Sequence, residues 1–243
     1  MEWTHSSWNP VTGCSKVSAG CKYCYAERMA KRLQAAGQFR YRNGFKVTLQ
    51  EDIVDLPLRW RKPRMVFTGS MTDLFHEDIP LDYLLKIFET MQKAHWHIFQ
   101  ILTKRENRLA ELYKHLPWPE NVWMGVTVES SKEVDRMNVL RKAPAAVRFV
   151  SMEPLLGPIP NFPTEGIDWI IVGGESGPRA RLMEPRWVIE IRNRCIKNKI
   201  PFFFKQWGGV NKKKSGRILE GKYWDECPVP NGILQQESLL LTS

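Results

Sequence analysis

Short apolar runs alternate with longer amphipathic stretches along most of this chain. The runs are rich in β-branched and aromatic side chains and recur at intervals of roughly 25–30 residues, as strands separated by helices do. They predict strands at 65–68, 97–103, 122–128, 147–152, 169–172 and 201–204, with a further short strand near 3–6. Apolar residues at helical spacing predict helices between most of them, at 81–93, 104–115, 130–142 and 185–199.

Two helical segments precede this alternation. Apolar positions three and four residues apart predict a helix over 25–36, with Gly37 as its stop signal. A second helix-like stretch covers about 53–60 and ends before Pro63.

Strands that alternate with helices indicate parallel βαβ units, and therefore an α/β fold. We predict a partial (β/α) barrel of about six parallel strands; an open doubly wound sheet is the competing arrangement. No Gly-x-Gly-x-x-Gly follows the first strand, which disfavours a dinucleotide-binding sheet. Residues 1–227 are predicted to form one domain, and 228–243, with Pro, Gly, Gln and Ser, a loosely ordered tail.

The composition bears on the partner and on the cellular compartment of the protein. The 243 residues carry a formal net charge of +10, which favours a polyanionic partner such as a nucleic acid or a phosphorylated molecule. A generally basic surface is the simpler explanation. The chain has no secretory signal pattern and no apolar run long enough to span a bilayer, so we expect a cytoplasmic protein without a membrane partner.

Polar residues follow the end of every predicted strand from 65 onward. The carboxyl ends of parallel strands meet at one edge of a barrel, so these residues predict a shared polar basin there. Lys104 and Lys205 would bind a substrate phosphate or carboxylate, or pair with neighbouring acids. Asp73 and His76 would act on a proton or a cofactor, although Asp73 is equally suited to cap the helix that begins near residue 79.

Three of the five cysteines, Cys14, Cys21 and Cys24, lie within eleven residues. Thiolates are ligands of zinc and of iron–sulfur clusters. A structural zinc site needs four ligands, and no second Cys-x-x-Cys completes one. The fourth would have to come from elsewhere in the chain, from His5, His76, Cys195 or Cys227. A set of three indicates instead a centre that keeps one coordination position open.

The segment Cys21-Lys-Tyr-Cys24, with Cys14 upstream, resembles the cluster motif of radical S-adenosylmethionine (SAM) enzymes. Six residues separate the first two cysteines here, whereas the usual spacing is three. Further segments resemble a phage- and prophage-associated family with a three-cysteine motif that is described as radical-SAM-like. They are residues 8–14, 70–76, 102–104, 151–157, 173–177 and 204–208.

The resemblance implies a partial (β/α) barrel whose cluster loop, about 9–25, follows the first strand. It implies a [4Fe–4S] cluster on Cys14, Cys21 and Cys24, and SAM on the remaining iron. Carried over by position, Tyr23 would lie by the adenine. The other expected SAM contacts are Gly69, Ser70, Asp73, Thr127, Glu129, Ser151 and Glu153. The strand-end residues Lys104, Glu175 and Lys205 are the candidate catalytic residues.

The function implied is reductive cleavage of SAM to a 5′-deoxyadenosyl radical that abstracts hydrogen from a substrate. The charge and the phage association favour a nucleic acid or nucleotide as that substrate, in the host cytoplasm if the protein is phage-encoded. A flavodoxin- or ferredoxin-like protein would donate the electron. The alternatives are a zinc- or cluster-binding, non-enzymatic nucleic-acid module and a cluster protein whose partner performs the chemistry.

Overall fold

A computed structural model of the protein describes residues 3–228, so the predicted tail lies outside the described residues from 229 onward. Within that range the strands are β1 (Ser6–Trp8), β2 (Val11–Thr12), β3 (Thr48–Leu49), β4 (Met65–Thr68), β5 (Ile98–Thr103), β6 (Val122–Thr127), β7 (Val147–Met152), β8 (Trp169–Gly173) and β9 (Phe202–Gln206). Seven of them form a parallel sheet in the order β1-β4-β5-β6-β7-β8-β9. The sheet curls into half a barrel, which confirms the predicted partial barrel with seven strands in place of about six.

Helices connect most of these strands, because parallel neighbours cannot be joined by a tight turn. The helices of the described residues are α1 (Tyr25–Ala35), α2 (Leu81–Lys93), α3 (Glu106–Leu112), α4 (Asp135–Leu140), α5 (Pro185–Lys197) and α6 (Lys212–Ser215). Among residues 3–228, none of the helices combines the length and the apolar composition that crossing a membrane requires.

The strand predictions at 65–68 and 147–152 are confirmed residue for residue, and the other four are correct within two residues at each end. The predicted helix at 53–60 is wrong. Two short 3₁₀ helices, Glu51–Ile53 and Leu56–Arg59, occupy this stretch. Pro57 has no N–H to donate to an α-helix, which accounts for the break.

Three more boundaries differ from the predictions. The first strand lies at Ser6–Trp8 and not near 3–6, because Trp3 turns into the interior of the barrel. The helix predicted at 130–142 begins as a 3₁₀ turn capped by Ser130 and becomes α-helical only over Asp135–Leu140. The helix predicted at 104–115 is shortened to Glu106–Leu112.

Two apolar layers cover the two faces of the sheet, because successive side chains of a strand point to opposite faces. The convex face packs against the helices, as Val150 and Ile170 do. The concave face holds a second cluster made of sheet residues and Trp3, with Trp169 against the rings of Trp3 and Phe149. An aromatic layer therefore fills the half-barrel below its carboxyl edge.

The small antiparallel pair β2–β3 places the chain that follows β1. It joins Val11 to Leu49 and Thr12 to Thr48, so residues 45–49 lie against the start of the cysteine-bearing loop. Gly13 follows with φ +89°, and a Cβ there would lie 2.1 Å from the carbonyl oxygen of Lys46. Only glycine allows this close approach.

We expect Trp169→Ala to lower the free energy of unfolding by about 3–5 kcal/mol, because it opens a cavity in the aromatic layer. Trp169 is fully buried, and four aromatic rings lie within 6.1 Å of its ring. Urea denaturation measures the change. Leu182→Ala is the control: its side chain is 89% exposed, and the expected change is within about 0.5 kcal/mol. A loss below about 1 kcal/mol for Trp169→Ala would show that the layer is loosely packed.

Candidate functional site

A cavity of about 720 Å³ opens at the edge of the sheet where the carboxyl ends of the strands meet. The loop between β1 and α1 forms one of its walls, and the ends of β4 to β9 form the others. All predicted site residues except His76 and Glu129 line this cavity: Cys14, Cys21, Tyr23, Cys24, Gly69, Ser70, Asp73, Lys104, Thr127, Ser151, Glu153, Glu175 and Lys205.

The three clustered cysteines reach the cavity from residues 13–24, here called the cysteine loop. Cys14 follows β2 closely, Cys21 ends a 3₁₀ turn over Ala19–Cys21, and Cys24 immediately precedes α1. All three side chains are half-buried, and none forms a disulfide. The loop therefore presents three reduced thiols to one cavity.

Arg105 fixes the start of the cysteine loop. Its Nη2 donates to the carbonyl oxygen of Ser15 at 3.1 Å and to Ser15 Oγ at 2.8 Å, and lies 3.8 Å from Cys14 Sγ. Glu77 accepts from Nη1, and Nε lies 3.9 Å from Asp73. The first cysteine consequently has a buried guanidinium beside it.

Glu129 fixes the middle of the loop from beneath the cavity. One carboxylate oxygen accepts from Ser18 Oγ at 2.5 Å and from the ammonium of Lys104, while the other accepts from Arg136 at 3.0 Å. A Cβ on Gly20 would lie 2.3 Å from this carboxylate, so the loop backbone packs directly on it. Burial alone would raise the pKa of Glu129, but the two cations outweigh burial and hold it below its ordinary value.

Glu175 fixes the same stretch of the loop through Arg181. The guanidinium of Arg181 donates to both oxygens of Glu175, at 2.8 and 2.5 Å. Its Nη2 also donates to the carbonyl oxygen of Ala19 at 3.0 Å, and its Cζ lies 5.5 Å from the ring centre of Tyr23. A bidentate pair of this kind fixes the orientation of the guanidinium as well as its distance from the carboxylate.

The chain leaving β4 runs beside the cysteine loop and bonds to it. Thr72 Oγ1 donates to the carbonyl oxygen of Gly13 at 2.6 Å. Ser70 Oγ donates to the side chain of Asn9 at 3.1 Å, and the hydroxyl of Tyr25 donates to the carbonyl oxygen of Ser70. The segment with the expected SAM contacts Gly69 and Ser70 thus lies next to the parts of the chain that carry Cys14 and Cys24.

Asp73 is engaged within the protein. Its carboxylate accepts from Thr103 Oγ1 at 2.7 Å and from the backbone N–H of Lys104 at 2.9 Å, which joins the ends of β4 and β5. His76 Nε2 lies 2.8 Å from Ser15 Oγ, and burial and the nearby guanidinium lower the pKa of His76. His76 therefore contacts the cysteine loop through Ser15, whereas Asp73 holds the ends of β4 and β5 together.

Lys205 and Glu153 form the ion pair on the opposite wall of the cavity. Lys205 Nζ donates to Glu153 at 2.6 Å, and Ser151 Oγ donates to the other carboxylate oxygen at 3.2 Å. Lys205 Nζ lies 5.9 Å from the ring centre of Trp3, which belongs to the aromatic layer below. This wall offers an ammonium, a carboxylate and a hydroxyl.

The thiols differ in acidity. Burial and the charge of Asp73 raise the pKa of Cys14 to about 11. Burial acts the same way on Cys21, but the ammonium of Lys104 and hydrogen bonds from the loop outweigh it and lower that pKa. Metal ligation requires thiolates, so loading a metal centre would release the proton of Cys14.

Three thiols line one cavity, as the ligands of an iron–sulfur cluster would. Zinc holds its sulfur ligands about 2.3 Å away, so the ligands of one ion crowd together. Among residues 3–228, no three His, Cys, Asp or Glu side chains converge closely enough to hold one metal ion. In an iron–sulfur cluster each thiolate binds its own iron, so three thiols around one cavity suit such a group.

Sequence reasoning missed most of the residues that position the loop. Arg105, Arg136 and Arg181 are the cations next to Ser15, Glu129 and Glu175. Only Arg105 had a signal in the sequence, because it follows a polar strand end directly. The other two lie on a helix and in a loop, where arginine is ordinary.

We expect Ser18→Ala to loosen the cysteine loop without unfolding the protein. Ser18 makes a charge-assisted hydrogen bond to buried Glu129, and such bonds contribute about 1.5–3 kcal/mol. Trypsin cleavage after Lys16 and Lys22, both exposed on the loop, should become roughly tenfold faster or more.

The control for this variant is Ser131→Ala, which removes an exposed hydroxyl elsewhere. Mass spectrometry of the fragments identifies the cleavage sites, and thermal unfolding confirms that both variants remain folded. Equal cleavage rates for wild type and Ser18→Ala would contradict the positioning role of Glu129.

One family model matches this chain. The family model described as "Protein of unknown function (DUF5131)" matches residues 1–228. No curated protein and no solved structure matches the chain. The match spans nearly the whole sequence, and the chain therefore belongs to the DUF5131 family.

Proposed function

We propose that the protein is a radical SAM enzyme, with a [4Fe–4S] cluster on Cys14, Cys21 and Cys24. When bound, the cluster would supply the electron that cleaves SAM reductively to methionine and a 5′-deoxyadenosyl radical, which abstracts hydrogen from the substrate. The observation that carries the proposal is the meeting of three reduced thiols at one cavity on the carboxyl edge of a parallel half-barrel.

The wall residues divide into two groups by their contacts. Asp73 and Glu129 are buried, and both of their carboxylate oxygens accept from protein donors. We therefore assign Glu129 to positioning the loop and Asp73 to joining the ends of β4 and β5, and neither to SAM. Glu153 also accepts on both oxygens, but it is only half-buried. The cavity-lining residues remain proposed SAM contacts: Tyr23, Gly69, Ser70, Thr127, Ser151 and Glu153.

The candidate catalytic residues divide in the same way. Lys104 and Glu175 hold the loop through Glu129 and Arg181. The carboxylate partner of Lys205 among residues 3–228 is Glu153, which makes no hydrogen bond to the cysteine loop in that range. We propose that Lys205 Nζ orients a carboxylate or phosphate oxygen of the substrate, with the Lys205–Glu153 hydrogen bond as the place where a proton is held.

The aromatic layer beneath the cavity would keep water from the reacting groups. Trp3 and Phe67 line the cavity and pack against each other edge to face, with ring centres 5.0 Å apart. Reactive intermediates need such a dry floor. We further propose that a flavodoxin- or ferredoxin-like donor supplies the electron, that the substrate is a nucleic acid or nucleotide, and that the enzyme works in the cytoplasm.

After anaerobic reconstitution with iron and sulfide, we expect the protein to form 5′-deoxyadenosine from SAM when dithionite is added. Mass spectrometry detects the nucleoside, and metal analysis gives the iron and sulfide content. The Cys14, Cys21 and Cys24 triple variant to Ala should bind no cluster and form none of the product, because it lacks every proposed iron ligand.

The matched control is Cys195→Ala with Cys227→Ala, since neither thiol lines the cavity. That variant should retain both the cluster and the cleavage activity. Zinc bound in place of iron would contradict the proposal and support a non-enzymatic metal-binding module. A cluster with no SAM cleavage would support a protein whose partner performs the chemistry.

A further inference from the structure

The basic groups inside the cavity are largely neutralised by acids. Lys104 and Lys205 line the cavity and pair with Glu129 and Glu153. Glu175 also lines it and pairs with Arg181. A polyanion therefore gains little attraction from the floor of the cavity, because each of these cations has its counter-charge in place.

The mouth of the cavity has a different charge balance. Arg28 on α1 lines the cavity, is exposed, and donates to the carbonyl oxygen of Ser176 at 3.3 Å. Lys22 is exposed on the cysteine loop. Within residues 3–228, neither has a carboxylate oxygen within the 4.0 Å of a salt bridge. Among residues 3–228, Arg28 is therefore the cavity-lining cation that forms no salt bridge, whereas Lys104 and Lys205 each have one.

An exposed aromatic ring lies beside that charge. Tyr25 is 52% exposed although it lines the cavity, and its hydroxyl is fixed by the hydrogen bond to the carbonyl oxygen of Ser70. Tyr25 and Arg28 are three residues apart on α1, so they share one helix face. Val210, 77% exposed, lines the mouth as well. The mouth therefore presents a fixed flat ring next to a cation.

We propose that this mouth binds a single-stranded nucleic acid, with a base stacked on Tyr25 and a phosphate on Arg28. Stacking on an aromatic ring combined with backbone contacts to cations is how proteins bind single strands. A base within a duplex is stacked and paired, so the ring favours an unpaired strand that leads one nucleotide toward the cavity. The proposal names the substrate class of the proposed radical enzyme, although binding itself needs neither cluster nor SAM.

The two contacts have different signatures in a salt titration. Each phosphate contact to a single strand contributes about 0.7 to the slope of log K against log salt. Arg28→Gln removes the charge but keeps an amide that donates to Ser176, so the slope should fall by about 0.7. Tyr25→Ala should weaken binding roughly fivefold to a hundredfold with an unchanged slope, because stacking involves no counterion release.

The test is fluorescence anisotropy of the full chain with labelled oligothymidylate and oligouridylate, before and after cluster reconstitution. Tyr25→Phe keeps the ring and should bind as wild type does. Arg61→Ala is the matched control: Arg61 is exposed, and it lies at the opposite edge of the sheet, where β4 begins. It should change neither affinity nor slope.

Three results would overturn the proposal. The first is a loss of affinity from Arg61→Ala as large as that from Arg28→Gln. The second is duplex binding as tight as single-strand binding. The third is displacement of the oligonucleotide by polyglutamate at the same charge concentration. The last would indicate an acidic peptide partner. SAM cleavage is scored separately, so intact strand binding without cleavage would contradict the radical enzyme alone, and cleavage without strand binding would contradict the substrate class alone.

Discussion

Three carboxylates, on Glu77, Glu129 and Glu175, tie the cysteine loop to separate parts of the carboxyl edge through cations or directly. Arg105 bridges from Glu77 to Ser15, Glu129 accepts from Ser18, and Arg181 bridges from Glu175 to Ala19. Glu129 and Glu175 are buried, whereas Glu77 is exposed. Burying charges adds little net stability, since desolvation offsets much of the attraction, and the main effect of these pairs is to restrict the geometry of the groups they hold. A loop with two glycines and little regular structure is thereby held in one conformation, with its thiols toward the cavity.

The strands could be predicted because their apolar runs are long enough to be buried on both faces, as at Trp169–Gly173. The cysteines could be identified because thiols are rare and their spacing is distinctive. Short helices were less predictable: the 53–60 stretch has helical spacing, yet Pro57 interrupts its hydrogen bonding. Trp3 carried a strand signal in the sequence, but its indole is buried in the barrel interior.

The sequence predicted where the strand-end residues lie, but it did not predict which side chains they contact. The polar strand ends do meet at one cavity, as the barrel geometry requires. Whether an acid faces a ligand or a protein cation depends on partners far along the chain, such as Lys104 for Glu129 and Lys205 for Glu153. No local pattern encodes those pairings. That Arg28 forms no salt bridge within residues 3–228 also becomes clear only after the other cations are matched with acids.

The central proposal is that the three thiols on the anchored loop hold a cluster with one open coordination position. Electron paramagnetic resonance of the reconstituted, dithionite-reduced protein tests this most directly, before and after addition of SAM. Binding of SAM to the cluster predicts a reduced [4Fe–4S] signal whose shape changes when SAM is added, and no signal from the variant without Cys14, Cys21 and Cys24. A cluster signal that SAM leaves unchanged, or a protein that takes up zinc and no iron, would contradict it.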